Sequence, residues 1–438
     1  MLLRHQLKAK AEILEKLEAH SICLLEGQTR SGKSLTALSV AEALGGRYLF
    51  LTTKKALKSV RSDFRALNGV AEMVLINYHS AHKVEREPFD LVILDECHSS
   101  GLSSRPKQGK IWKQVRELIK DSKRFLLMSG TVAIESKAQL FPEFAVTGLG
   151  PWAQYRDFYA WWKCSGSYKD GRLCGGYGIQ DAVKSVGSNA PAWGSVPDYD
   201  QVDEGRIKRD VDPFVVEMKR EGFEVENASL IPVTLKTEKL ARLIRKIRRD
   251  NVVDVTDEDG NERSCVFDKG PASVLTACHI AGGGVMKDES GEWFVLGDEY
   301  SPRYRIDWII QGIRGNGKKY AVHSAYIFER DFIKREFEAA GVRVYQTYEE
   351  MRDGQEGGAW VDSLESFAEG VNLAWLTGSQ IIYTLTWKGS KFSQVCDRQL
   401  NFKRKEKAKV AIPLLEGGID SYVYEAVSNK RNFNASVL

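Results

Sequence analysis

Residues 27–34, Gly27-Gln28-Thr29-Arg30-Ser31-Gly32-Lys33-Ser34, carry the spacing G-x-x-x-x-G-K-[ST]. Glycine at both ends of the loop allows a turn tight enough to aim successive backbone N–H groups at one anion, and a helix beginning at Ser34 adds its positive dipole end there. Gly27, Thr29 and Gly32 therefore read as a phosphate cradle, with Lys33 as a full charge on the β- and γ-phosphates and Ser34 as a hydroxyl ligand for Mg²⁺. A second pair of chemical groups, Asp95-Glu96, follows directly on the apolar run Leu91-Val92-Ile93-Leu94. Adjacent carboxylates occur in ordinary turns, but two delivered by a buried strand are costly unless a cation meets them. Behind a phosphate loop, Asp95 is expected to hold Mg²⁺ with Ser34, and Glu96 to orient and deprotonate the attacking water. The cofactors implied are a nucleoside triphosphate and Mg²⁺.

Those side chains need strand ends to hold them. Short apolar runs at Ile22–Leu25, Tyr48–Leu51, Met73–Ile76, Leu91–Leu94 and Phe125–Met128 alternate with amphipathic helical stretches, the signature of a parallel sheet covered by helices. Each run ends in polar or small residues, where such sheets place their ligands. From Lys319 the alternation resumes at Tyr320–His323, Val342–Tyr345, Ala359–Val361, Gln380–Tyr383 and Val410–Pro413, with a helix over Phe328–Ala339 and no phosphate loop of its own. The expected fold class is α/β, with two parallel-sheet domains at 1–145 and 251–438 and an intervening segment at 146–250.

The intervening segment is rich in aromatic residues: Trp152, Tyr155, Phe158, Tyr159, Trp161, Trp162, Tyr168, Tyr177, Trp193 and Tyr199 lie among glycines and basic residues. Such rings could stack on bases or form a small core of their own. Lys236 to Arg249 interleaves Lys239, Arg242, Arg245, Lys246 and Arg248 with Leu240, Leu243, Ile244 and Ile247. This is a basic amphipathic helix, either a solvated face or a phosphate-contacting one through Arg245 and Lys246. Asp254 to Asn261 reads as an acidic surface hairpin, and Pro271 to Gly284 as small-residue packing.

A hydrophobic content of 43% with 28% charged residues is ordinary for a globular chain of 438 residues. No run is long enough to cross a bilayer, so a soluble, cytoplasmic protein without a membrane partner is expected. The seven cysteines are scattered without a C-x-x-C pair, which argues against a disulfide framework and a zinc site. A net charge of +4 is too small to demand a polyanionic partner by itself. No heptad repeat points to an oligomer.

Asp95-Glu96-Cys97-His98, together with the phosphate loop, resembles the DEAD/DEAH-box superfamily of helicases in its D-E-x-H form. Further stretches agree in order. Leu2-Leu3-Arg4-His5-Gln6 is similar to the family's L-x-P-Y-Q element, with Gln6 in the adenine-reading place and Arg4 where proline is usual. Phe50-Leu51-Thr52-Thr53-Lys54 resembles the strand end that touches the nucleic-acid backbone. Ser129-Gly130-Thr131 matches the S-G-T that couples hydrolysis to strand movement, a role the resemblance extends to His98 and Gln394. Glu369-Gly370-Val371-Asn372-Leu373 resembles motif V, implying Gly370 at the nucleotide and Asn372 at the nucleic acid. Trp387-Lys388-Gly389 followed by Gln394 has the spacing of the Swi/Snf-type W-N-P-x-x-x-x-Q. Gln394-Val395-Cys396-Asp397-Arg398 matches Q-x-x-D-R of motif VI, which places Arg398 on the γ-phosphate as a cation from the second domain. The family's next arginine is Asn401 here, with Arg404 one turn further on.

The resemblance implies two RecA-like domains and an ATP-dependent DNA helicase or translocase, Swi/Snf-like, with DNA as partner. Short loops and compact size suit a phage or mobile-element version. Two alternatives stand beside it: a P-loop NTPase switch without nucleic acid, and an RNA-directed helicase.

Overall fold

In the computed structural model the described residues are 2–28, 30–54, 56–97, 102, 109–130, 137–155, 161, 168–169, 172–173, 204–219, 221, 227–250, 252–267, 271–314, 316–364, 371–400 and 406–429. The chain divides into two compact units, 1–221 and 222–438. The stretch 146–250 is thus shared between them rather than standing as one segment.

In the first unit the apolar runs form β1 (Ile22–Gly27), β2 (Arg47–Thr52), β3 (Glu72–Asn77), β4 (Leu91–Asp95) and β5 (Phe125–Ser129). A short hairpin, β6 (Tyr168–Lys169) and β7 (Arg172–Leu173), follows, and then β8 (Val215–Met218). The sheet is six-stranded in the order β3-β2-β4-β5-β1-β8, and all its neighbours are parallel. Every residue of β4 and β5 is buried, which is why their sequences are continuous apolar runs instead of alternating ones. Helices α1 (Arg4–His20), α2 (Lys33–Leu44), α3 (Leu57–Ala66), α4 (Lys110–Ile119) and α5 (Phe141–Thr147) cover the sheet's two faces. The register sets Leu51 beside Leu94 and Asp95 beside Met128, so the carboxyl ends of β2, β4 and β5 come level.

Two of the intervening tryptophans belong to this unit's core. Trp161 stacks on Phe141 with ring centroids 4.8 Å apart, and Trp152 meets Phe144 edge-on at 5.7 Å. Phe158, Tyr159, Trp162, Tyr177, Trp193 and Tyr199 lie outside the described residues.

The second unit opens with β9 (Ser229–Leu235), then the hairpins β10 (Val252–Thr256) with β11 (Glu262–Val266) and β12 (Val285–Lys287) with β13 (Trp293–Val295). Its sheet combines β9 with β14 (Lys319–Ser324), β15 (Val344–Tyr345), β16 (Gly358–Ser363), β17 (Gln380–Ile382) and β18 (Lys409–Leu415). It too is six-stranded and parallel, in the order β15-β16-β14-β17-β18-β9. Both units are parallel α/β sheets flanked by helices, as expected and consistent with RecA-like domains. The basic helix Glu238–Arg249 buries Leu240, Ala241, Leu243, Ile244 and Ile247 in the second core and leaves its cations outside. The acidic hairpin tip forms because Asp257 Oδ1 accepts the Asn261 main-chain N–H at 2.8 Å and that of Asp259 at 3.0 Å.

Ile93, fully buried in β4, is expected to cost about 2–5 kcal/mol on replacement by alanine, the usual range for a core isoleucine. Val70, 92% exposed, should change stability by less than about 0.5 kcal/mol in the same substitution. Chemical denaturation of the two variants checks the assignment.

Candidate nucleotide site

The turn from β1 into α2 depends on residues that lack side chains. Gly32 has φ +86°, a left-handed conformation, and a Cβ there would lie 2.0 Å from Gln6 Nε2. At Gly27 a Cβ would come within 2.7 Å of Lys33 Cγ, so the lysine stem occupies the space over that glycine. The loop is closed by Ser31 N–H on the Gln28 carbonyl at 3.1 Å, and it is tied to β8 by Gln28 N–H on the Met218 carbonyl at 3.1 Å.

The start of α1 lies against this loop. Gln6 Oε1 accepts the Leu3 main-chain N–H at 2.8 Å, and Gln6 Nε2 donates to the Ser31 carbonyl at 3.2 Å. His5 Nε2 reaches the same carbonyl at 3.0 Å, which makes that nitrogen the protonated one. Sequence reasoning singled out Gln6 but missed His5, whose role shows only once α1 is folded back onto the loop. Lys33 is buried and donates from Nζ to the Gly27 carbonyl at 3.0 Å, so its charge is held over the loop. Ser34 stands in the first turn of α2, half-buried.

Asp95 ends β4. Its Oδ2 accepts the Thr52 hydroxyl at 2.8 Å and its main-chain carbonyl accepts Tyr78 Oη, also at 2.8 Å. Burial raises the Asp95 proton affinity most, and the neighbouring Glu96 raises it further. The Thr52 hydroxyl and the Lys33 ammonium act in the opposite direction. Glu96 itself turns out of the strand with φ 49°, a left-handed conformation rare for a residue with a side chain. Cys97 anchors the turn from behind: its N–H donates to the Met128 carbonyl at 3.3 Å and its thiol to Glu143 Oε2 at 2.8 Å.

Thr52 is fully buried with its hydroxyl on Asp95, Thr53 is half-buried, and Lys54 is the exposed residue of that stretch. Ser129 is fully buried at the end of β5. Thr29, His98, Thr131 and Gly370 lie outside the described residues, as do Asn401 and Arg404. The links from Thr52 and Tyr78 to Asp95 were not read from sequence, because they depend on the lateral order β3-β2-β4.

In the second unit Asn372 is exposed; its carbonyl accepts Tyr348 Oη at 2.6 Å and its Oδ1 accepts the Ala374 N–H at 3.0 Å. The Leu373 N–H donates to the Arg398 carbonyl at 3.0 Å, joining the two motif stretches through main chain. Gln394 is buried within the helix Gly389–Cys396. Gln380 on β17 bonds His323 on β14 at 3.0 Å, and Gln399 Nε2 donates to the Gly378 carbonyl at 3.2 Å, which holds the turn bearing Arg398 against the sheet. On the basic helix, Arg245 donates to Glu238 at 2.6 Å and Arg249 pairs with Asp250 at 2.9 Å. Lys239, Lys246 and Arg248 are exposed and have no ion-pair partner among the described residues.

In the first unit a loop with glycine at both ends, a lysine over it, a helix-start hydroxyl and a carboxylate whose ionisation burial opposes form a donor set that fits a magnesium-bound triphosphate. Lys33 and the loop amides would hold the phosphates, and Ser34 and Asp95 the ion. When bound, the ion would supply charge neutralisation on the phosphates.

No family model matches the chain, and no curated protein matches it. Among solved structures the chain is similar to the SWI2/SNF2 ATPase core of Sulfolobus solfataricus, solved in complex with double-stranded DNA. The identity is 14%, over 100% of this chain and 92% of that one, with a TM-score of 0.39.

Because folding raises the Asp95 proton affinity, the folded state pays to ionise it, and that cost grows as pH rises above the ordinary carboxyl range. In chelator, Asp95→Asn is therefore expected to raise the melting temperature near neutral pH, with the gain shrinking towards about pH 4. A variant that melts below wild type across this range would show that the carboxylate is not under that strain.

Proposed function

We propose that the chain is an ATP-hydrolysing enzyme that moves on or remodels DNA, a helicase or translocase of the Swi/Snf-like, D-E-x-H kind. The observation that carries the catalytic half is the convergence, at level strand ends of one parallel sheet, of Lys33, the Gly32 loop and the Thr52-held carboxylate of Asp95. In this reading Lys33 and the loop grip the triphosphate, and Asp95 with Ser34 binds Mg²⁺. Glu96, aimed away from the strand by its left-handed backbone, orients and deprotonates water. Arg398 is assigned on motif resemblance to the charge that develops on the transferred phosphoryl group.

The nucleic-acid half is supported by charge. Just past β2 Thr53 is half-buried and Lys54 exposed, Asn372 is exposed, and the helix Glu238–Arg249 presents Lys239, Lys246 and Arg248 without ion-pair partners among the described residues. Cations not already paired within the protein are the ones able to displace counterions from a phosphate backbone.

The deciding experiment measures Mg²⁺-dependent ATP hydrolysis with no nucleic acid, duplex DNA, single-stranded DNA, branched DNA and RNA. Stimulation by DNA is the expected result. Stimulation by RNA alone would redirect the enzyme to RNA, and a rate indifferent to all of them would make it a nucleotide switch. Lys33→Ala should reduce hydrolysis by at least about 100-fold while DNA binding at low salt persists. Replacing Lys239, Lys246 and Arg248 together by glutamine should flatten the slope of log affinity for duplex DNA against log salt by about 1 to 3 units. An unchanged slope would place the helix away from phosphates.

A further inference from the structure

The core of the second unit contains a cluster of polar groups that the proposed chemistry does not use. Arg305 is fully buried; it pairs with Asp420 at 2.5 Å and donates from Nη1 to the Tyr383 carbonyl at 2.7 Å. Asp420 Oδ2 also accepts the Leu415 N–H at 3.0 Å. Beside them lies Glu329, fully buried on the helix Ile327–Ala339, with Oε2 accepting the Thr384 hydroxyl at 2.8 Å. Among the described residues its Oε1 has no hydrogen-bond partner, and it faces Gly283, where a Cβ would come within 2.0 Å of it.

The charges do not balance if both acids ionise. One buried cation faces two buried carboxylates, and Asp420 has the direct contact with it. Around Glu329 stand Arg305 and Tyr304 on the helix Tyr304–Ile313, Asp420 at the start of the helix Asp420–Ser428, Tyr383 after β17, Tyr326 after β14 and Glu336 on its own helix. Glu336 is matched by Arg303 and Arg335. His279, from the helix Pro271–Gly282, bonds Tyr326 Oη at 3.1 Å and is kept neutral by burial. None of these supplies a second positive charge, so an ionised Glu329 would be an unmatched buried anion.

All these contacts converge on one short stretch of chain. Tyr383 is held through its carbonyl by Arg305 and through Oη by the Gly283 carbonyl at 2.8 Å, Thr384 by Glu329, and Trp387 by ring contact with His279 at 4.6 Å. Residues 383–387 lead directly into the helix Gly389–Cys396 and the turn bearing Arg398. We propose that Glu329 is a positioning residue which, as an uncharged carboxylic acid, fixes the 383–387 stretch and thereby sets the placement of the Arg398 turn.

The sign of the pH effect follows from the environment. Burial raises the Glu329 pKa to about 8, against the opposing pull of the Thr384 hydroxyl, Arg305 and the Tyr326 main chain. The folded chain then keeps a proton that the unfolded chain has lost. Stability from this group is complete below the ordinary carboxyl range and falls with rising pH until the folded pKa is passed, by about tenfold in the unfolding constant per pH unit.

Glu329→Gln keeps the size and the acceptor for Thr384 but cannot ionise. The test compares wild type and Glu329→Gln in two assays. In chemical unfolding between about pH 6 and pH 8, wild type should show a pH slope steeper by up to about tenfold in the unfolding constant per unit. Equal slopes overturn the proposal. In DNA-stimulated hydrolysis, which rests on the functional reading above, wild type should lose activity above about pH 8 while Glu329→Gln retains it. Equal alkaline limbs overturn the positioning role. Glu329→Leu, which cannot accept from Thr384, should lower the maximal rate at every pH. Absence of hydrolysis in wild type would count against the functional reading alone, and the unfolding comparison would still decide the protonation state.

Discussion

A carboxylate buried at the end of a strand with too little positive charge around it is the constraint on which the first unit turns. Asp95 is removed from water at the end of a strand buried on both faces, and Glu96 beside it makes ionisation harder still. The fold offsets this with one hydroxyl from the neighbouring strand and one ammonium from the loop after β1. For Asp95 burial outweighs both of them. The same lysine rests on a backbone carbonyl that a phosphate oxygen would replace as its partner. On the proposed reading, a doubly charged metal and a polyanion arriving together would relieve both conditions.

Both units use one architectural device for different ends. In the first, level strand ends gather groups that carry charge at one end of the sheet. In the second, the equivalent region is filled with side chains that position the chain itself: Tyr383, Thr384 and Trp387 are each held by a buried partner, and His323 and Gln380 bridge two strands beneath the Arg398 turn. A stretch pinned at this many points holds the following turn at low entropic cost, which is the condition the role proposed for Arg398 requires.

The glycine-bounded loop after β1, the adjacent acids at the end of β4 and most strands were legible from sequence because each is local: a fixed spacing, a run of apolar residues, a glycine where the backbone is left-handed. The helix Glu238–Arg249 was legible for the same reason, since its apolar stripe recurs at helical spacing. What was not legible depends on lateral strand order. Thr52 could be placed at a strand end, but that its hydroxyl faces Asp95 follows from β2 lying beside β4. β8 and β9 escaped notice as sheet members because they are edge strands, and β9 is interrupted by Pro232. Glu329 sits among charged residues in an ordinary-looking helix, and nothing local marks it as buried among Arg305, Asp420 and Thr384.

The central claim, that Lys33, Ser34 and Asp95 together receive a magnesium-bound triphosphate, is tested most directly by a crystal structure of the protein with Mg²⁺ and a nonhydrolysable ATP analogue. The account predicts that Lys33 Nζ leaves the Gly27 carbonyl for the phosphates, and that the ion lies between the Ser34 hydroxyl and the Asp95 carboxylate. A triphosphate bound elsewhere, or a Lys33 still on the Gly27 carbonyl with the analogue present, would contradict it.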